Sequence, residues 1–253
     1  MTQIIAIVSQ KGGVGKTSLT HNLGYELSQA GKHVLLVDFD PQADLTSSLG
    51  LSASEERPTV YQAMAKPEDV SKYIVNIKGS LDLLPSDLDL AGAEIKFTLD
   101  MLGDRNMRLK EALEPVADDY DFILIDAPPS LGFFTVNALI CASKVIIPLQ
   151  CEHLAKKALY NLLEIVLQLQ KRNKLLRIGG IVLTFYDRRV KITEEIEDEV
   201  RGEFGQVVFN TTVPRNTSIM HASKNGLAVA QYLPKSAGAM AYHGLVKEVI
   251  ERG

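Results

Sequence analysis

Residues 11–18 read Lys11-Gly12-Gly13-Val14-Gly15-Lys16-Thr17-Ser18, and this stretch decides the fold. An apolar run, Ile4 to Val8, leads into it. An amphipathic stretch from Thr17 to Ala30 follows, with Leu19, Leu23 and Leu27 on one face. Strand, glycine loop and helix in that order form a phosphate cradle, because loop N–H groups and a helix N-terminus converge as fixed positive potential. Gly12, Gly13, Val14, Gly15 and Ser18 are read as the cradle. Lys16 reaches the β- and γ-phosphates, and the Thr17 hydroxyl ligates Mg²⁺. A plain glycine turn is outweighed by a motif this complete in this context. The chain is expected to bind a nucleoside triphosphate.

Lys11 narrows the reading. The frame Gly-x-x-x-x-Gly-Lys-Ser/Thr has its first slot at Ser9–Gln10 here, and Lys11 stands where a neutral residue is usual. The loop backbone already surrounds its own phosphates, so Lys11 is expected to point towards a phosphate held by a second copy. At these residues the sequence resembles the deviant Walker A ATPases, which include ParA/Soj partition proteins, the division-site protein MinD and the nitrogenase iron protein. The resemblance implies ATP and Mg²⁺ as cofactors and an ATP-dependent homodimer, with Lys11 contacting the partner's ATP.

A chain of 253 residues suffices for one α/β domain, 1–253, with a large core. Apolar residues make up 46% and charged residues 23%, ordinary globular values. A net charge of −4 excludes a global nucleic-acid signature, so DNA binding would need a local patch. Cys141 and Cys151 lie in or beside apolar segments without metal-ligand spacing and read as buried thiols of a reducing cytoplasm. No basic-then-apolar leader precedes the first strand, and no apolar run nears the ~18 residues that span a bilayer. A cytoplasmic protein is expected, and the resemblance implies nucleoid association in its ATP state.

Short β-rich runs alternate with helical periodicity throughout. Strands are predicted at Ile4–Ser9, His33–Asp38, Leu81–Pro85, Phe122–Asp126, Lys144–Leu149, Ile178–Thr184 and Val207–Asn210. Helices are predicted at Thr17–Ala30, Leu88–Leu102, Met107–Ala117, Phe134–Cys141, Leu154–Gln170, Ile192–Phe204 and Ala237–Ile250. This alternation predicts a doubly wound, mostly parallel sheet with helices on both faces. Ligands of such sheets sit at the carboxyl ends of the strands, where the glycine loop lies.

Three carboxylates close the second predicted strand: Asp38, Asp40 and Asp44, in Val37-Asp38-Phe39-Asp40-Pro41-Gln42-Ala43-Asp44. Carboxylates at the mouth of an apolar strand are costly unless they face a metal or water. The segment is similar to the family's Asp-x-Asp-Pro-Gln. That similarity implies that Asp38 supports Mg²⁺ and its water shell while Asp40 orients the attacking water, so that Lys11, Lys16 and Asp40 form the catalytic set. Asp44, where partition proteins commonly carry asparagine, reads as an outer-shell or switch residue. The apolar run Phe122–Ile125 ends in Asp126, a Walker B signal that places Asp126 beside Mg²⁺. Pro129-Ser130-Leu131-Gly132 then resembles the partition ATPases' switch II. A cluster cysteine, present there in the iron protein, is missing, which argues against iron–sulfur redox chemistry. Val213-Pro214-Arg215-Asn216 resembles the segment that borders adenine, with Pro214 and Asn216 as base contacts; a proline-terminated strand and an asparagine helix cap would look the same.

Seven basic residues lie between Lys171 and Lys191 against one acid, Asp187, flanking a buried strand at both ends. They are expected to gather on one rim of the sheet. The resemblance makes Arg188, Arg189 and Lys191 candidates for nonspecific DNA contact, with Lys224 a further one; a solvated helix end and loop is the plainer alternative. Two departures from relatives, Ser218 for an arginine and Lys156-Lys157 for a more acidic segment, suggest a redistributed patch. The last residues, Tyr242–Gly253, mix charges on a helix whose apolar face core packing uses, so no MinD-like membrane anchor is expected. The resemblance as a whole implies a ParA-type ATPase that positions a cargo (plasmid, chromosome or protein body) with a ParB-like or other small adaptor. A MinD-like membrane-associated regulator is the alternative.

Overall fold

The computed structural model describes residues 2–52, 57–99, 103–152 and 155–252. The chain opens with β1 (Gln3–Ile7), the glycine loop and α1 (Lys16–Gln29), followed by β2 (Val34–Asp38), α2 (Asp44–Ser48) and α3 (Val60–Ala65). β3 (Val75–Lys78) and β4 (Leu81–Leu84) form a hairpin; α4 (Ala93–Leu99) and α5 (Arg108–Leu113) lead to β5 (Phe122–Asp126). The remainder runs α6 (Phe133–Cys141), β6 (Lys144–Gln150), α7 (Ala155–Leu169), β7 (Arg177–Thr184) and α8 (Lys191–Phe204). Three further helices follow: α9 (Thr217–Lys224), α10 (Val229–Tyr232) and α11 (Ala237–Glu251).

The seven strands are ordered β3-β4-β2-β5-β1-β6-β7. Every pairing is parallel except β3 with β4. Alternation along the central strands divides the core in two. Ile5, Ile7, Leu36 and Leu124 face α1 and α9–α11, meeting Leu19, Leu23, Leu27, Tyr242 and Leu245. Ala6, Val37, Ile123 and Ile147 face α3–α8, meeting Met64, Leu113, Leu139 and Val166. A residue step of about 3.3 Å with side chains on opposite faces gives each central strand two buried sides, so its sequence reads as a continuous apolar run. α1 lies so close to β2 that a Cβ on Gly24 would come within 2.5 Å of Leu36 Cδ2. Both cysteines are buried, and burial pushes each thiol up to about 12.

Several expectations change. Val207–Asn210 is no ladder strand: a 3₁₀ turn covers Gly205–Val207, and only Val208 bridges, to Ile181. Leu88–Leu102 divides into a 3₁₀ turn, Leu88–Gly92, and α4, because Asp87 caps the turn through Asp89 N–H at 3.1 Å; residues 100–102 lie outside the described set. Met107–Ala117 shortens to α5, since Pro115 forces the following Glu114–Asp119 into a 3₁₀ turn. β3, α2, α3 and α10 went unforeseen, being too short to show a period, whereas α9 follows Asn216, the helix cap that the sequence offered as the plainer alternative there. Leu154, the predicted start of a helix, lies outside the described residues, and α7 begins at Ala155.

Candidate nucleotide site

The glycine loop joins the carboxyl end of β1 to α1, at the centre of the sheet. Gly13 (φ 73°) and Gly15 (φ 88°) hold left-handed conformations that a side chain would strain. Pro129 packs over Gly12, its Cγ 3.8 Å from where a Cβ would stand, and the Thr184 hydroxyl donates to Val14 O at 2.9 Å. Among the described residues, none of the backbone N–H groups from Gly12 to Ser18 donates to a protein acceptor. A row of unengaged N–H groups at a helix N-terminus fits a polyphosphate.

Lys16, the first residue of α1, is 7% exposed. Burial lowers its ammonium from the usual range, and the carboxylates of Asp126, Asp40 and Asp44 oppose that shift. Asp126 ends β5, is 1% exposed and pairs in register with Asp38 of β2. Burial, then the neighbouring Asp38 charge, pushes Asp126 up to about 8 against the Thr17 hydroxyl and Lys16. Two carboxylates on adjacent buried strands with one buried lysine are short of positive charge. That deficit, with a hydroxyl at the mouth, matches a divalent cation on the Thr17–Asp126 side. No group of three or more His, Cys, Asp or Glu side chains among the described residues is placed to hold a metal ion by itself. A magnesium ion here would therefore draw most of its ligands from phosphate and water oxygens, as this ion prefers.

Asp38 is engaged differently. Its Oδ2 accepts from Thr46 N–H at 2.7 Å and Thr46 Oγ1 at 2.6 Å, and its Oδ1 from Asp40 N–H at 3.3 Å. Burial raises this carboxyl to about 7 despite those bonds. The bonds fix the Asp40 turn. Asp40, half-buried, accepts from Gln42 N–H at 3.0 Å and lies close enough to Lys16 to influence its ionisation. Ala43 takes a left-handed backbone (φ 54°) as the N-cap of α2, and Asp44 stands exposed in the first turn, where burial of part of its carboxyl and the nearby Asp40 raise its ionisation range.

Lys11 is exposed and pairs with Glu152 of the same chain, just past β6. Pro214 bridges to Tyr186, which joins the 213–216 segment to the carboxyl end of β7. Asn216 caps α9, its Oδ1 accepting from Ser218 N–H at 2.8 Å and Ser218 Oγ at 2.6 Å, so its amide NH₂ remains available. The basic residues do not share a rim. Lys171, Arg172, Lys174 and Arg177 lie at the amino end of β7, and Arg188, Arg189 and Lys191 follow its carboxyl end. Seven residue steps of about 3.3 Å put roughly 23 Å between the groups. Arg189 is held by Asp187 through two bonds, at 2.9 and 2.7 Å, and Lys191 pairs with Glu195 at 3.5 Å. Lys224 is exposed at the end of α9. Sequence reasoning missed Thr46 and Thr184, residues without a motif whose places arise only from their neighbours in space.

A family model described as an AAA domain matches residues 2–178. The chromosome-partitioning ATPase Soj of Treponema pallidum (strain Nichols) is 42% identical over 254 residues, covering 100% of this chain and 98% of that protein. The chain belongs to the ParA/Soj family of partition ATPases. Soj of Bacillus subtilis (strain 168), a sporulation initiation inhibitor, is 43% identical over 255 residues, 100% of both chains. Among solved structures, cobyrinic acid a,c-diamide synthase from Mycobacterium smegmatis, with bound ATP analogue and magnesium, superposes with a TM-score of 0.88 at 32% identity, covering 99% of this chain and 95% of that one. The cell division ATPase MinD of Pyrococcus furiosus gives 0.81 at 28% identity over 100% of each. Among the described residues of this ParA/Soj family member, no helix is long and apolar enough to cross a membrane.

Proposed function

We propose that the chain is a partition ATPase of one domain, residues 1–253, cytoplasmic and nucleoid-associated when ATP is bound. It binds ATP with Mg²⁺, closes an ATP-dependent homodimer and holds nonspecific DNA. A small ParB-like adaptor then stimulates hydrolysis and release. The observation that carries the reading is the meeting of Lys16, Asp126 and Asp40 at a loop whose N–H groups are unengaged. The names of the full-length relatives favour a chromosome as cargo over a plasmid or protein body.

The chain's own groups divide the work. Gly12 to Ser18 hold the phosphates through backbone N–H groups, and Lys16 neutralises charge that grows between the β- and γ-phosphates during transfer. Thr17 and Asp126 hold the cation, with Asp38 behind them, and when bound it supplies charge neutralisation and alignment of the phosphate oxygens. Asp40 orients the attacking water from a turn that Asp38 fixes in place. Lys11 leaves Glu152 to reach the partner's phosphates. Pro214 and Asn216 border the base. Arg188, Arg189, Lys191 and Lys224 contact DNA phosphates, and two protomers double that patch. Positioning then follows from switching between states of different DNA affinity.

Fluorescence anisotropy of a nonspecific duplex, with ATP and with ADP, tests this function. Binding in ATP and little in ADP is expected, and Asp40→Ala should bind ATP, dimerise and stay on DNA because hydrolysis stalls. Equal DNA affinity in ATP and ADP, with no ATP dimer by light scattering, would overturn it.

A further inference from the structure

Phe185 and Ala43 are the non-glycine residues with left-handed backbones among the described residues, and Phe185 sits at φ 51° just past β7. An aromatic residue rarely adopts this region, which glycine, asparagine and aspartate mostly supply. Bonds on both sides hold it there. Thr184 Oγ1 donates to Val14 O at 2.9 Å, Tyr186 N–H donates to Val213 O at 3.0 Å, and Arg215 N–H donates to Tyr186 O at 3.3 Å. Strain that the surroundings impose invites a question of use.

The left-handed turn aims the ring at the glycine loop. Phe185 Cε2 lies 3.5 Å from where a Cβ on Gly15 would stand, and the Arg215 guanidinium lies 5.6 Å from the ring centroid. Phe39 and Phe209, which pack the core, are fully buried, whereas Phe185 is half-exposed. A half-exposed ring thus lies between the phosphate-binding end of the site and the 214–216 segment. A partly exposed ring with a glycine at one edge and a guanidinium over it suits a flat aromatic ligand.

We propose that Phe185, with Arg215 against it, is the platform on which the base of a purine nucleoside triphosphate stacks. The proposal rests on the nucleotide reading of the loop and adds the residue that senses the base. Stacking tolerates any purine; the free amide NH₂ of Asn216 then donates to an acceptor on the base edge. The strained backbone is the means by which β7, a strand buried along its second half, delivers a ring to the nucleotide side of the sheet.

Calorimetric binding of Mg·ATP and of inorganic Mg·tripolyphosphate, which has phosphates but no base, tests the platform. Phe185→Gly suits the backbone, Phe185→Leu keeps bulk without a π-face, and Phe185→Trp keeps the π-face. The glycine and leucine variants should bind ATP roughly tenfold more weakly while tripolyphosphate binding stays within about twofold, the loss expected of one stacked base. Phe185→Trp should bind ATP like the wild type. Parallel loss for both ligands would show a ring that props the loop, and unchanged ATP affinity in Phe185→Leu would show a ring outside the site; either overturns the proposal. A wild type that binds neither ligand would overturn the nucleotide reading itself, and the platform with it.

Discussion

Thr46 gives both its backbone N–H and its hydroxyl to one oxygen of Asp38, at 2.7 and 2.6 Å. The same hydroxyl accepts from Ser86 N–H at 3.0 Å, and Ser86 Oγ donates to Asp40 O at 2.9 Å. A buried carboxylate, the first turn of α2 and the end of β4 therefore brace the Asp40 turn together. Asp38 acts on the site chiefly through this bracing, with Asp126 the carboxylate nearer Thr17.

Thr46→Val tests the brace. The isosteric change leaves Asp38 short of a donor and Ser86 N–H without its acceptor, in a site with no exposure. Stability should fall by about 1–3 kcal/mol. ATP turnover should fall as the Asp40 turn loosens, while ATP affinity survives because the glycine loop is untouched. Chemical denaturation with a turnover assay checks both; wild-type stability would show that Thr46 braces nothing.

The Lys11–Glu152 pair sets a second expectation. Its side chains are 46% and 34% exposed, so the pair is screened and contributes little. Glu152→Gln should shift ATP-dependent dimerisation to roughly two- to fivefold lower protein concentration, the scale of an exposed ion pair. Lys11→Ala should keep ATP binding by the monomer and lose the dimer. Light scattering with ATP distinguishes them, and a dimerising Lys11→Ala protein would refute the cross-dimer role of the lysine.

The two ends of β7 separate the basic groups, which makes DNA binding testable end by end. Arg188 forms no hydrogen bond or ion pair among the described residues, whereas Asp187 holds Arg189. Arg188→Ala should therefore weaken DNA binding more than Arg189→Ala. The slope of log affinity against log salt should drop by roughly 0.9 for each DNA phosphate that the variant no longer neutralises. Alanine at Lys171, Lys174 and Arg177 should leave the slope unchanged. Titrations at several salt concentrations decide, and the reverse ranking would move the DNA surface to the amino end of the strand.

His21 predicts a pH response. It is 2% exposed in α1, its Nδ1 lies 3.1 Å from Ser48 Oγ, and burial holds its imidazole down to about 4. The unfolded chain takes up a proton near pH 6.5 while the folded chain stays neutral, so this contribution is complete above 6.5 and is lost as pH falls towards 4. A shift of this size corresponds to about 3 kcal/mol across that window. His21→Gln should flatten the fall. Melting temperatures at about pH 7.5 and pH 5, either side of the free imidazole's range, check it; an equal drop in both proteins would assign the acid sensitivity elsewhere.

Much of the fold and the glycine-loop half of the candidate site were legible locally. The glycine loop needs its residues in one short run because one turn must carry every N–H. Buried parallel strands announce themselves as apolar runs, and α1, α7, α8 and α11 are long enough to show a helical period. Asp40, Asp126, Lys11 and Lys16 stood out because charge beside an apolar strand or a glycine loop requires a reason. What stayed hidden depends on distance through space. β3 is four residues long and pairs on an edge, and Val207–Asn210 has a strand's composition but offers a single bridging residue. The basic residues around β7 look adjacent in sequence, yet a strand in extended conformation carries its two ends apart. Thr46, Thr184 and Phe185 acquire their places only when the sheet lays β2 against β4 and β7 beside the glycine loop. The chain alone determined the longer elements and the glycine loop that joins the first strand to the first helix, because periodicity and turn chemistry are local. The tertiary structure decided which side chains brace, face or flank that site, because hydrogen bonds and stacking act between residues that only packing brings together.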